Sequence, residues 1–418
     1  MSERDVEVFV DLAGEAIPAG RLIMRVLRER ESATFTYHQG WLSHPHRFAL
    51  DPSALPLGRG AFHTGGPRAL FAGLSDSAPD RWGRTLMARQ ARLEGRRGAL
   101  FEHDYLLTVD DLARQGALRF RDAGGGPFLA AAEPSIPPLV RLGELLAASD
   151  RVQQESTDLE ALRLLLAPGS SLGGARPKAS VVDPSGRLLI AKFPSVSDDW
   201  PVIHWEHVVH RLAAAAGVRV PVTRLERVGE RAVLLVERFD RQGPRRIPYL
   251  SAMAMLGATE GEQDRSYLEI ADAIRVYGSR VEEDLRELWR RMVFGVLVTN
   301  TDDHLRNHGF LRSARGWVLS PAFDLNPIPT DVRPRIHALA LDDQSPRSSL
   351  QTLLDVAGYM GLDPADAEEI VGQAARATSG WRRAARAVGL DRAQVERMAS
   401  AFEHADLDLA LRVATGLP

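Results

Sequence analysis

Asp302 and Asn307 stand five residues apart in the polar run Asn300-Thr301-Asp302-Asp303-His304-Leu305-Arg306-Asn307-His308. A carboxylate so placed can orient the proton of an attacking hydroxyl, while the asparagine oxygen holds a hard divalent cation. Asp324, within Ala322-Phe323-Asp324-Leu325-Asn326-Pro327, offers a second hard oxygen ligand. Upstream, Gly173-Gly174-Ala175-Arg176-Pro177-Lys178 is a small-residue loop that leads into a strand. Glycines there let backbone N–H groups approach phosphate oxygens. Lys192, ending the next apolar run, offers a point charge for the same phosphates. Taken in order, these features describe phosphoryl transfer from a nucleotide to a hydroxyl. The Asp302–Asn307 spacing equals that of the aspartate and asparagine in a protein-kinase catalytic loop. Asp303 directly follows, so the base assignment is open by one residue, and the spacing favours Asp302. Each feature alone has a plainer reading: a glycine turn, a solvated acidic pair, an aspartate opening a turn.

Composition sharpens the choice. Of 52 basic residues, only Lys178 and Lys192 are lysine, and Asn300, Asn307 and Asn326 are the only asparagines. Where nearly every cation is arginine, a retained lysine marks a place that needs a compact charge rather than a planar fork.

The elements that must position these residues follow from pattern. Val6–Val10, Arg21–Val26 and Ala33–Tyr37 alternate apolar and polar residues and predict a small antiparallel sheet with hairpins. Residues 51–70 read as loop, and Ser75–Asp80 supplies caps and a first-turn proline for a helix running to Leu93. Asp110–Arg114 is expected to be helical, as are Pro134–Ser149 once past its prolines and Thr157–Ala167. The glycine loop then feeds a strand at Ala179–Val182, a turn at Asp183–Gly186 and a strand at Arg187–Phe193. A helix at Trp205–Ala216 and strands at Thr223–Arg227 and Ala232–Arg238 come next. The rest is mostly helical, with an amphipathic helix Val281–Leu297 running into the Asp302 loop, and a hairpin before Asp324.

The sequence resembles the HipA family of serine/threonine-protein kinase toxins across nearly its whole length. The resemblance rests on Ser171–Lys178, Ile190–Lys192, Leu235–Asp240, Thr301–Asn307, Ala322–Pro327 and the N-terminal Gly73–Asp80. It implies an α+β, two-lobed protein-kinase-like fold: a β-rich N-terminal subdomain (1–105), a nucleotide-binding lobe (106–240) and a helical lobe (241–418). It implies ATP and Mg2+ as cofactors. Gly173, Gly174, Ala175, Arg176, Pro177 and Lys178 would form the phosphate loop, and Lys192 would contact phosphates with Glu206 as a possible ion-pair partner. Glu237, Arg238 and Phe239 would form the hinge that holds adenine through backbone groups. Asp302 would be the base, His304, Arg306 and Asn307 would line the nucleotide, and Asn307 and Asp324 would bind magnesium. Ser171 stands where the family carries an autophosphorylated, self-silencing serine, with Ser170 beside it. The implied partners are a helix-turn-helix, HipB-like antitoxin, operator DNA reached mainly through it, and an aminoacyl-tRNA synthetase as protein substrate. The chain departs from ordinary kinases in having no His-Arg-Asp and no Asp-Phe-Gly, and Arg306 stands where family members can carry lysine.

Two rival functions share the nucleotide chemistry: a small-molecule phosphotransferase, and a catalytically inactive nucleotide-binding co-repressor. Other classes are excluded or disfavoured. With no cysteine, there is no disulfide, thiolate metal site or thiol nucleophile. A net charge of −3 argues against binding nucleic acid by bulk electrostatics. The N-terminal residues read as a strand rather than a secretory signal, no apolar run spans a bilayer, and a cytoplasmic location without membrane contact is expected. His204, His207 and His210 recur every three residues but match no metalloprotease pattern and are expected on one helical face. The arginines of 81–97 are expected on a solvated helix face.

Overall fold

The structure is a computed structural model that describes residues 2–66, 68–131, 136–154, 157–166, 174–262, 264–343 and 346–415. The chain folds into two compact units, Met1–Val196 with Val228–Ala258, and Ser197–Arg227 with Thr259–Pro418. Ser170, Ser171 and Gly173 lie outside the described residues.

The first unit opens with the expected sheet: β1 (Ser2–Leu12), β2 (Glu15–Leu27), β3 (Arg30–Tyr37), β4 (Ala61–His63) and β5 (Leu118–Asp122), in the order β4-β3-β2-β1-β5. Alternation sends Val6, Val8, Val10, Leu22, Met24, Val26, Phe35 and Tyr37 into the core. Two-residue turns set the register, pairing Leu12 with Glu15 and Leu27 with Arg30. Both turns need positive φ, and only one uses glycine: Ala13 and Gly14 stand at 56° and 95°, Arg28 and Glu29 at 49° and 65°.

One expectation is corrected here. Asp110–Arg114 is turn, not helix. The Arg114 guanidinium is buried and donates to the carbonyls of Leu106 and Val109 just before the turn and of the distant Ser77. β5 pairs antiparallel with β1, so this stretch folds with the N-terminal sheet. Residues 197–227 and 259 onward form the second unit, while 228–258 stay in the first.

A second sheet carries the lysines: β6 (Lys178–Val182), β7 (Leu188–Lys192) and, after β8 (Thr223–Val228) has brought the chain back from the second unit, β9 (Arg231–Glu237). Asp183 closes the β6–β7 turn by accepting from the Ser185 hydroxyl and from the N–H groups of Ser185 and Arg187. One face of this sheet packs against three helices. Ala179, Val181, Leu189, Ala191, Val233 and Leu235 share a core with Trp82 and Leu86 of Arg81–Leu93, Leu145 and Val152 of Leu142–Gln153, and Leu162 and Leu165 of Leu159–Leu166. Strand period 2 then puts Lys178 and Lys192, which are register partners, on the other face together.

The second unit centres on the helix Val281–Leu297, with Leu285, Leu288, Trp289, Met292, Val293 and Phe294 buried. Trp205, Trp381 and Phe402 add an aromatic cluster, the last two stacked at 4.7 Å. The long helix ends in a left-handed residue, Thr299 (φ 53°), whose hydroxyl donates to the Ala401 carbonyl. The polar loop starts there, and the hairpin Gly309–Arg312 with Trp317–Leu319 leads on to Asp324. Among the described residues, no helix is long and apolar enough to cross a membrane.

Candidate active site

In the first unit, Gly174 and Ala175 are exposed, with Gly174 at φ 104°, a backbone conformation that favours glycine. Pro177 is buried, and its carbonyl accepts from the Phe193 N–H at 2.9 Å. Lys178 opens β6. Its ammonium is buried and paired with Asp80 at 2.8 Å, both side chains being 3% exposed. Asp80 also caps the helix Arg81–Leu93 by accepting from the Gly83 N–H, and Trp82 donates to the Lys178 carbonyl. The strand lysine Lys192 is buried opposite it. Glu206 is buried in the helix Val202–Ala215 of the second unit.

The hinge residues divide in role. Glu237 meets Arg187 at 2.5 Å at the partly exposed end of β9. Arg238, whose expected part is through its backbone, uses its side chain within the fold. Its side chain is buried, donates to the carbonyls of Ala113 and Arg114, and pairs with Asp240 at 2.6 Å. Its N–H goes to the Leu188 carbonyl. Asp240 also accepts from Arg241 and from the Gly116 N–H. Its carboxyl is held well below the usual range because these cations outweigh its burial. Phe239 packs near Tyr249, ring centroids 6.2 Å apart.

In the second unit the two adjacent aspartates separate cleanly. The Asp302 side chain is 65% exposed and meets the Arg333 guanidinium at 2.7 Å. Asn307 donates to the Asp302 carbonyl at 3.2 Å, which fixes the loop between them. Asp303 is buried: it accepts from the Tyr267 hydroxyl at 2.7 Å, and His308 Nε2 lies 3.1 Å away. Burial alone would raise the Asp303 carboxyl, but His308 and Tyr267 outweigh it and hold it below the usual range. The same burial, with the Asp303 charge, pushes the Tyr267 hydroxyl far up.

Asp324 has φ 55°, the left-handed region that a non-glycine residue rarely occupies and that clusters at functional sites. Asn300 ties its loop to the Asp302 loop by accepting from the Asn326 N–H at 3.1 Å. Arg306 sits 3.6 Å from the exposed Glu260. Thr301 Oγ1, His304 Nδ1, Arg306 Nε and Asn326 Oδ1 are buried and find no hydrogen-bond partner among the described residues. Buried polar atoms are normally satisfied, so these orphans, with His308 Nδ1 in the same loop, fit a site that receives polar ligand atoms. Among the described residues, no group of three or more His, Asp or Glu side chains is placed to hold a metal ion. An Asn307–Asp324 donor set suits magnesium shared with nucleotide phosphates, because that ion takes few protein ligands. His207 and His210 are used within the fold, on Thr223 and on the Glu206 carbonyl.

Sequence reasoning did not single out Arg333, Tyr267, His308 or His337. His337 is buried near this cluster, with Nε2 2.6 Å from the Ser348 hydroxyl, and burial pushes it down to about 4. Its unfolded value is near 6.5, so below that pH the unfolded chain takes up the proton first. Stability from this residue is therefore present above about pH 6.5 and lost as pH falls toward 4, by up to about 3 kcal/mol at roughly 1.4 kcal/mol per unit. Urea unfolding across that window shows the decline, and His337→Gln lessens it, with His207 and His404, also pushed down to about 4, supplying the rest.

Comparison with known proteins places this geometry. The HipA-like C-terminal domain family matches residues 170–382, just over half of the chain. The chain belongs to that family. Every candidate residue from Gly173 to Asp324 lies inside the HipA-like segment, and Asp80 lies outside it. A Sinorhizobium fredii protein named "Putative kinase Y4mE" is 25% identical over 369 residues, covering 79% of each chain. The HipA-like fold extends to the whole chain. A Shewanella oneidensis structure, the HipA–HipB toxin–antitoxin system with its operator DNA, superposes with a TM-score of 0.70 at 18% identity, covering 99% of this chain and 98% of that one. The fold is thus α+β and HipA-like.

Proposed function

We propose that the chain is an ATP- and Mg2+-dependent serine/threonine-protein kinase acting in the cytoplasm as the toxin of a toxin–antitoxin pair. The observation that carries the reading is the exposed Asp302 carboxylate, fixed by its loop beside Asn307, with Asp324 held on left-handed backbone in the loop that Asn300 ties to it. Asp302 orients the acceptor hydroxyl and takes its proton as the oxygen bonds to the γ-phosphorus and the bond to the departing ADP oxygen breaks. Asn307 and Asp324 hold magnesium, which when bound neutralises charge on the phosphates. Lys192 offsets phosphate charge, the exposed backbone at Gly174 and Ala175 approaches the phosphates, and His304 and Arg306 line the nucleotide. Glu237 and Phe239 border adenine. Arg238 contributes to the hinge through its backbone, and Lys178 closes the phosphate loop.

The reading extends to a helix-turn-helix antitoxin of the HipB kind, and through it to operator DNA. Support comes from the whole-chain likeness to the Shewanella HipA of the HipA–HipB–operator complex. The substrate class is an aminoacyl-tRNA synthetase, whose phosphorylation would stop tRNA charging and translation. Ser171 is the proposed self-silencing site: a phosphoryl group there adds nearly two negative charges to the segment that leads in sequence to Gly173–Lys178.

The test is incubation of the purified chain with labelled ATP and Mg2+, followed by mass-spectrometric mapping. Label on Ser171 or Ser170 in the wild type, absent from Asp302→Ala, is the expected result. ATP binding without any transfer would sink the kinase reading and favour a co-repressor.

A further inference from the structure

Arg333 lies in a segment that is laced, on both sides of Arg333, to the backbone just before Asp302. The Ile328 N–H donates to the Thr299 carbonyl at 3.2 Å, and the Ala338 N–H to the Thr301 carbonyl at 3.0 Å. The side chains flanking Arg333 are anchored elsewhere in the unit. Asp331 meets Arg397 at 2.9 Å, and Arg335 meets Asp406 at 2.6 Å and donates to the Val296 carbonyl. The Val332 and Arg333 N–H groups both return to the Pro329 carbonyl, closing a turn that presents the Arg333 side chain. From there Nη1 donates to Asp302 Oδ1 at 2.7 Å. No hydrogen bond to Asp302 Oδ2 is found among the described residues.

We propose that Arg333 is a positioning residue for phosphate transfer: it grips one oxygen of the Asp302 carboxylate, stops its rotation and leaves the other oxygen for the acceptor hydroxyl. This rests on the kinase reading above. An exposed ion pair contributes little to stability, so a fold role does not account for it. Holding a reacting group in one orientation is worth far more to a rate than to a folding equilibrium, since a small misplacement can cost about a hundredfold.

The test uses the full chain with ATP and Mg2+ and reads transfer into the chain itself, as the maximal rate and as KM for ATP. Arg333→Ala is expected to lower the maximal rate about ten- to a hundredfold with KM for ATP within about twofold, and with an unchanged melting temperature. Arg333→Lys keeps the charge without the planar fork and recovers part of the rate. In an Asp302→Asn background, Arg333→Ala costs nothing further, because the group it positions is gone. An Arg333→Ala rate equal to or above wild type, a loss confined to KM, or full multiplication of the two effects would each overturn the proposal. Wild-type transfer with an unimpaired Arg333→Ala defeats this inference alone; absence of transfer in the wild type defeats it together with the kinase reading.

Discussion

Replacing Asp302 with alanine is expected to lower phosphate transfer by about a thousandfold, within the range roughly 10² to 10⁴ for losing a positioned general base. ATP binding and the urea midpoint should stay near wild type. The structure explains why these outcomes part company. Asp302 is exposed and its partner Arg333 is itself 40% exposed, so neither is left as an uncompensated buried charge. Asp303→Ala is the necessary comparison. It removes the acceptor for a buried tyrosine hydroxyl and the charge beside His308, so it should unfold at lower urea. Rate lost without stability at Asp302, and stability lost at Asp303, would resolve the adjacent pair in favour of Asp302. The reverse pattern would move the base to Asp303.

Asp80→Ala is expected to cost about 3–5 kcal/mol of stability, the usual consequence of removing one half of a buried ion pair. About 1 kcal/mol more goes with the lost helix cap. A domain of ordinary stability has only about 5–15 kcal/mol in hand, so the variant should lie close to unfolding at 37 °C. The geometry behind this is the Lys178 ammonium 2.8 Å from the Asp80 carboxylate, with the Gly83 N–H on the same side chain. Asp80→Asn keeps an acceptor for the cap but loses the charge, and should fall between. Adding Lys178→Met to Asp80→Ala removes the buried charge that Asp80 balances and should restore part of the urea midpoint. A midpoint for Asp80→Ala within experimental error of wild type would show that the ammonium finds other compensation.

The local elements near the site were legible because their signals are local. Period-2 alternation marks β1 to β3, and the helix Val281–Leu297 is marked by apolar residues at helical spacing. The Asp302 loop, the β6–β7 turn and the hairpin before Asp324 are short-range chemistry too. The scarcity of lysine singled out Lys178 and Lys192 before any geometry was known.

Composition could not say what those lysines touch. Lys178 finds its partner 98 positions earlier, and Arg238 reaches carbonyls 124 and 125 positions away. No period or motif connects such residues. Asp110–Arg114 carries a helix-like sequence yet forms a turn, because the buried Arg114 guanidinium binds carbonyls that only the folded chain brings to it. Asp302 and Asp303 are chemically identical neighbours in the sequence. One faces solvent and Arg333, the other Tyr267 and His308, because successive side chains of the loop point opposite ways. The sequence by itself determined the order and spacing of the reactive groups and the strands, helices and turns that carry them. Tertiary structure alone decided which charges are buried and which are presented, since charge pairing and desolvation are set by neighbours in space.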